Sequence, residues 1–224
     1  MTKNLIEKIV AGLINDTSFD EYKFRKKDSC LIKRTEFGYE AIELQSWEGY
    51  DLTREKEALI VKPLFLKRFD VLHRWFEKYS FKSKQDQRNN YSIGFDGKML
   101  NRTDKFYFLL NEESFETDFE KFRKEALSNS QYVFSHFASL EDLYKYYIDP
   151  VLKGEAELPN IGADWIFEYL TIAKFVNNDS FGALKKILEK WATKMYENRE
   201  PNIVEYYSKF QEIVEYLDCT ELQS

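Results

Sequence analysis

Apolar positions change their period near residue 112 of this chain. Before it, short apolar runs alternate with polar residues as strands do; after it, they recur every third and fourth residue as on amphipathic helices. That change predicts an α+β protein. Its parts are an N-terminal helix, a mostly antiparallel sheet of about five strands and a helical C-terminal half. The boundary divides the chain into residues 1–111, which contain the sheet, and residues 112–224, which are helical, within one continuous domain or two. A hinge is expected over residues 154–162, which hold two glycines and Pro159.

Leu5, Ile6, Ile9, Val10, Leu13 and Ile14 set the first helix over residues 4–15, with Asn4 and Glu7 as a capping pair. Residues 30–36 and 39–48 form a hairpin around Phe37-Gly38. Tyr39, Ala41, Glu43, Gln45 and Trp47 then share one strand face, since successive side chains alternate. Residues 57–66 are a third strand, in which Pro63 cannot donate a ladder hydrogen bond; an edge strand or a bend is expected there. Asp70 caps a helix striped by Val71, Leu72, Trp75, Phe76 and Tyr79, and the polar residues 82–90 read as a surface loop. Residues 91–95 and 106–110 complete the sheet. The connections are too short for crossover helices, so the pairing is antiparallel.

Beyond the boundary, Thr117 with Glu120 and Ser139 with Asp142 read as capping boxes, and Pro150 bends or ends the second of these helices. Three longer helices follow over residues 164–177, 180–198 and 202–218, with Ser180 and Asn202 as N-caps. No repeat of about 34 residues is found, which argues against a solenoid.

Composition adds a charge asymmetry. The chain carries a net charge of −6, with 19 basic against 16 acidic residues over 1–100 and 14 against 23 over 101–224. An acidic half repels nucleic acid and attracts cationic proteins. Lys23, Arg25, Lys26, Lys27, Lys33, Arg34, Lys67, Arg68 and Arg74, with Phe24, Phe37 and Tyr39 among them, have the chemistry of a phosphate-tracking surface. The small basic excess of that half speaks against a nucleic-acid partner. The 19 Phe and 15 Tyr predict a phenylalanine-rich core rimmed by tyrosines.

Cys30 and Cys219 fit no zinc or redox spacing and are expected as reduced thiols of a cytoplasmic protein. The N-terminal segment is amphipathic and shows no signal peptide, and no apolar run reaches membrane-spanning length.

The search for chemistry assigns no catalytic residue, no metal ligand and no cofactor. His73 lies beside the apolar stripe of its helix, and His136 between Phe134 and Phe137. Neither sits at a recognisable spacing from a nucleophile or carboxylate. No G-x-S-x-G or G-x-G-x-x-G occurs, and residues 94–98 lack the spacer of a phosphate loop. The acidic run Glu112, Glu113, Glu116, Asp118, Glu120 lacks the glycine and ligand order of a calcium loop.

The candidate ligand-binding residues are Arg34, Glu43, Gln45 and Trp47. If helices cover their face, a carboxylate beside an amide and an indole makes a polar pocket with a raised carboxyl pKa. If water covers it, Glu43 is a solvated strand residue.

An opening helix, Phe24-Arg25-Lys26-Lys27, a hairpin carrying Ile42-Glu43-Leu44-Gln45, further strands and a helical tail together resemble a bacterial domain-of-unknown-function family. Its members are small cytosolic α+β proteins, some suspected of acting in toxin–immunity systems. The likeness covers residues 1–111 and implies the fold, with no catalytic residue to carry over. The expected function is a protein-binding module, an immunity-type inhibitor of a basic protein. The alternative is a small-ligand binder or enzyme with its pocket around Glu43 and Trp47.

Overall fold

The alternation over residues 30–66 becomes a long antiparallel ribbon. The computed structural model describes residues 2–99, 107–158, 163–199 and 201–219. Strands β1 (Lys23–Arg25), β2 (Cys30–Thr35), β3 (Gly38–Asp51), β4 (Lys56–Phe69), β5 (Ile93–Phe95) and β6 (Phe108–Leu110) form one sheet, ordered β1-β2-β3-β4-β5 with β6 also on β4. The α+β reading holds, with an N-terminal helix, an antiparallel sheet and a helical C-terminal half. β1 is an addition: the basic stretch around Phe24 pairs with β2, Lys23 opposite Ile32.

The edge strand that Pro63 predicts is not found. β4 is continuous through it and lies inside the sheet. β6 pairs with residues 59–61 and β5 with residues 65–67, so Pro63 falls in the gap between two short partners. Its missing N–H therefore leaves no bond to β5 or β6 unmade.

The chain forms two compact units that interleave along the sequence. The first comprises residues 1–68 and 91–136, and so contains nearly all of the sheet, helix α1 (Thr2–Ile14) and helix α4 (Phe115–His136). Leu5, Ile9 and Leu13 of α1 are fully buried, as are Phe122, Ala126 and Val133 of α4. Phe122 meets Phe108 edge-on at 5.2 Å. α1 lies so close to α4 that a Cβ on Gly12 would come within 2.4 Å of the Phe119 ring. The long helix after residue 112 thus belongs with the sheet, not with the helices that follow it.

The second unit comprises residues 69–90 and 137–224. It begins with the short helices α2 (Asp70–Arg74) and α3 (Lys84–Asn89), the first continued by a 3₁₀ turn over Phe76–Lys78. It then holds α5 (Leu140–Leu143), a π-helical turn over Tyr144–Ile148, α6 (Asp149–Leu152), α7 (Ala163–Val176), α8 (Asn178–Glu197), α9 (Pro201–Tyr207) and α10 (Phe210–Cys219). The Ser139–Asp142 capping box forms as expected.

Other boundaries shift. α8 begins at Asn178 after Asn177, and the expected helix 202–218 is broken between Tyr207 and Phe210. α7 is the hub of this unit, with Ile166, Phe167, Tyr169, Leu170, Thr171, Ile172 and Ala173 all buried. Of the expected hinge, residues 159–162 lie outside the described residues, while Gly154 takes φ +71°, which glycine adopts without strain. Among the described residues no helix is long and apolar enough to cross a membrane.

Candidate functional site

Helical periodicity over residues 70–79 sends one set of side chains inward and another out. Leu72, His73 and Phe76 are buried, whereas Arg74, Glu77 and Lys78 are exposed on the other side. Trp75 lies between the two sets, half-buried. Its ring runs nearly parallel to that of Tyr216 on α10, with centroids 5.8 Å apart and planes 19° apart. Tyr216 is fixed there because Ile213, Val214 and Leu217 on either side of it are buried. Tyr79 meets both rings edge-on, at 6.2 and 5.8 Å.

The Trp75 and Tyr216 rings form a wall of a cleft of about 610 Å³. Arg74 and Lys78 enter it from the segment that carries Trp75, while Lys84, Gln87 and Arg88 enter it from α3. Each cation pair is spaced by four residues, the spacing that stacks side chains on one helical face. Glu77 is the single carboxylate of the lining. Arg74 is paired with Asp70 at 3.0 Å. Lys78, Lys84 and Arg88 make no salt bridge among the described residues. The Lys78 ammonium instead sits 3.8 Å from the Tyr216 ring centre and 4.7 Å from that of Tyr79. Its pKa is raised, first by the Tyr79 side chain.

The segment carrying α3 is tied down on its N-terminal side. Lys82 pairs with the buried Asp164 of α7, and the Tyr206 hydroxyl accepts from the Phe81 amide at 3.1 Å. Burial pushes the Tyr206 hydroxyl up to about 12, against its contacts with Ser80 and Phe81. Ser83 caps α3 by accepting from the Asp86 amide at 3.2 Å, which commits that residue to the cap. Gln87 donates to the Lys82 carbonyl at 2.8 Å, fixing its amide at the cleft wall.

Behind the cleft the same unit buries a second polar set. His73 Nδ1 lies 3.4 Å from Glu168 Oε1, and both side chains are almost fully covered. Sequence spacing gave no hint of this pair, which joins residues far apart in the chain. Tyr169 has no hydrogen-bond partner for its hydroxyl among the described residues, and burial raises its pKa.

The residues expected to form a pocket on the sheet are strung along the ribbon. Arg34 lies opposite Tyr39 and Cys30 opposite Glu43, so Arg34 and Glu43 are four positions apart on one face, about 13 Å at 3.3 Å per residue. Arg34 is exposed and lies over the Tyr39 ring. Glu43 is half-buried and accepts from the exposed Gln45 amide at 3.1 Å. Trp47 is 43% exposed further along the strand. Glu43 and Gln45 are brought together; Arg34 does not join them.

Several members of the basic tract are already paired: Arg25 with Asp28, Lys33 with Glu21, and Lys67 with Glu40. Burial pushes the Cys30 thiol up to about 12, while Cys219 is exposed. His136, at the end of α4, stacks on Tyr132.

Of the cleft, only Arg74 was among the phosphate-binding candidates of the sequence. Lys78, Lys84, Arg88 and Tyr216 were missed. The available signal was two cation pairs at four-residue spacing, 74/78 and 84/88, the first enclosing Trp75. Comparison with family models, with curated proteins and with solved structures returns no match.

Proposed function

We propose that this is a cytoplasmic binding protein that holds an anionic ligand in the cleft of its helical unit. The observation that carries this reading is the gathering of three cations without a carboxylate partner, Lys78, Lys84 and Arg88, around one cleft in a chain of net charge −6. Like charges crowd a cavity at an electrostatic cost that an anion relieves. The lining offers many donors and few acceptors, as anion recognition requires.

Calorimetric titration with inorganic tripolyphosphate tests the reading. Saturable binding is expected, weakened at least tenfold by Lys84→Glu or Arg88→Glu. α3 has no buried side chain, so both variants should fold as the parent does. Absence of binding in the parent protein at millimolar tripolyphosphate and low salt overturns the reading.

The acidic excess over residues 101–224 supports a second reading, the immunity-type inhibitor that engages a basic protein. The two make opposite demands on the partner's charge. The resemblance to the bacterial family supports the second; the geometry of the cleft supports the first.

A further inference from the structure

We infer that the ligand is a nucleoside polyphosphate. This deepens the anion-binding reading and rests on it. Inorganic phosphate would satisfy the cations but leave the rings unused. Trp75 and Tyr216 present a partly exposed, near-parallel aromatic pair inside a cationic cleft, where an apolar plane has no role in holding a bare anion. A nucleobase is a flat π-system that stacks on such rings whatever its identity, and stacking with cationic tracking is how proteins hold nucleotides without reading base edges.

The cations are arranged for a chain of phosphates rather than one. Arg74 and Lys78 come from one segment and Lys84 and Arg88 from another, so successive phosphates can each find a cation. Lys78 links the two halves of the ligand. Its ammonium rests over one face of Tyr216 while belonging to the cationic set, which leaves Trp75 as the ring for a base to stack on. Glu77 supplies the acceptor that hydroxyls or an exocyclic amine need. The cleft's volume of about 610 Å³ falls within the usual range for sites of this ligand size.

Single-stranded nucleic acid shares this chemistry, but it needs a groove that tracks several nucleotides, and the cations here converge on one cleft.

The experiment compares ATP, tripolyphosphate, adenosine and a short oligothymidine on the full chain, by calorimetry and tryptophan fluorescence. ATP is expected to bind about tenfold or more tighter than tripolyphosphate, with adenosine weakest. Trp75→Leu should erase the advantage of ATP over tripolyphosphate, and Arg88→Glu should weaken both. Because Trp75 is half-buried, Trp75→Phe and Tyr216→Phe serve as variants that keep the fold; both should retain most of the ATP advantage.

Equal affinity for tripolyphosphate and ATP overturns the nucleotide assignment and leaves the anion reading standing. No binding of either anion overturns both. Oligothymidine binding more tightly than ATP at equal salt overturns the assignment in favour of a single strand.

Discussion

Asp118 is a heavily engaged carboxylate of the sheet unit, and its chemistry fixes where the ribbon ends. Arg54 reaches it with both terminal nitrogens, at 2.6 and 2.7 Å, and the Ser114 hydroxyl donates to it as well. Arg54 is delivered by a turn in which Asp51 accepts from the backbone amides of Thr53 and Arg54, at 2.9 and 3.2 Å. The far end of the β3–β4 ribbon is thereby fastened to the start of α4. Burial alone would raise the Asp118 pKa, but hydrogen bonds from Arg54 and Ser114, with the Arg54 charge, outweigh it and the pKa is lowered. A carboxyl whose folded pKa is depressed contributes stability above its unfolded value, about 3.9, and loses it as pH falls through the folded value. Asp118→Asn should therefore cost about 2 kcal/mol at pH 7, a figure kept low because a third of the Arg54 side chain faces water. In urea unfolding at a series of pH values, the gap between variant and parent should narrow below about pH 4. A gap that stays constant from pH 7 to pH 3 would show that the charge of Asp118 is not what the contact uses.

At the scale of elements, what was legible in the chain depended on whether a segment buries side chains. The first helix, the hairpin and the helix at Asp70 each bury a periodic set, and each lies close to where its apolar residues put it. α3 buries none, so its sequence, Lys-Gln-Asp-Gln-Arg-Asn, carried no period and read as a loop. Only the Ser83 cap, a local polar signal, marks it. Pro63 shows the complementary limit: its missing donor is legible locally, but the two short partner strands that flank it on β4 are not, because pairing between distant segments leaves no local trace.

The absence of buried contacts has a measurable consequence. Opening α3 exposes almost nothing apolar, whereas opening α7 would unpack the core of its unit. Amides of residues 84–89 should exchange with deuterium at least about 100-fold faster than those of residues 166–173, the ratio given by an opening free-energy gap of ~2.7 kcal/mol. Bound ATP should slow the first set and leave the second unchanged. Similar protection of the two segments in the free protein would mean that α3 is held by more than its cap and its Lys82 anchor.

For the molecule as a whole, the governing fact is a cleft of one sign on a protein of the other. Net charge was read correctly from composition and pointed toward a basic partner, because a sum over the chain erases the local reversal. Residues 74–88 meet Tyr216 only when the helices of their unit assemble, so the converging cations could not be seen as a cluster in the sequence. The two scales separate experimentally. Glu77→Lys and Glu155→Lys both move the net charge from −6 to −4, but Glu77 lines the cleft and Glu155 is an exposed residue outside the lining. If local field governs anion binding, Glu77→Lys should tighten tripolyphosphate binding about tenfold at low salt, while Glu155→Lys changes it less than about twofold. Raising ionic strength from 0.01 to 1 M shortens the Debye length from about 30 to 3 Å, so the parent's affinity should fall steeply and the advantage of Glu77→Lys should shrink with it. Equal gains from the two substitutions would assign anion binding to the overall charge of the protein, leaving the cleft without a part in it.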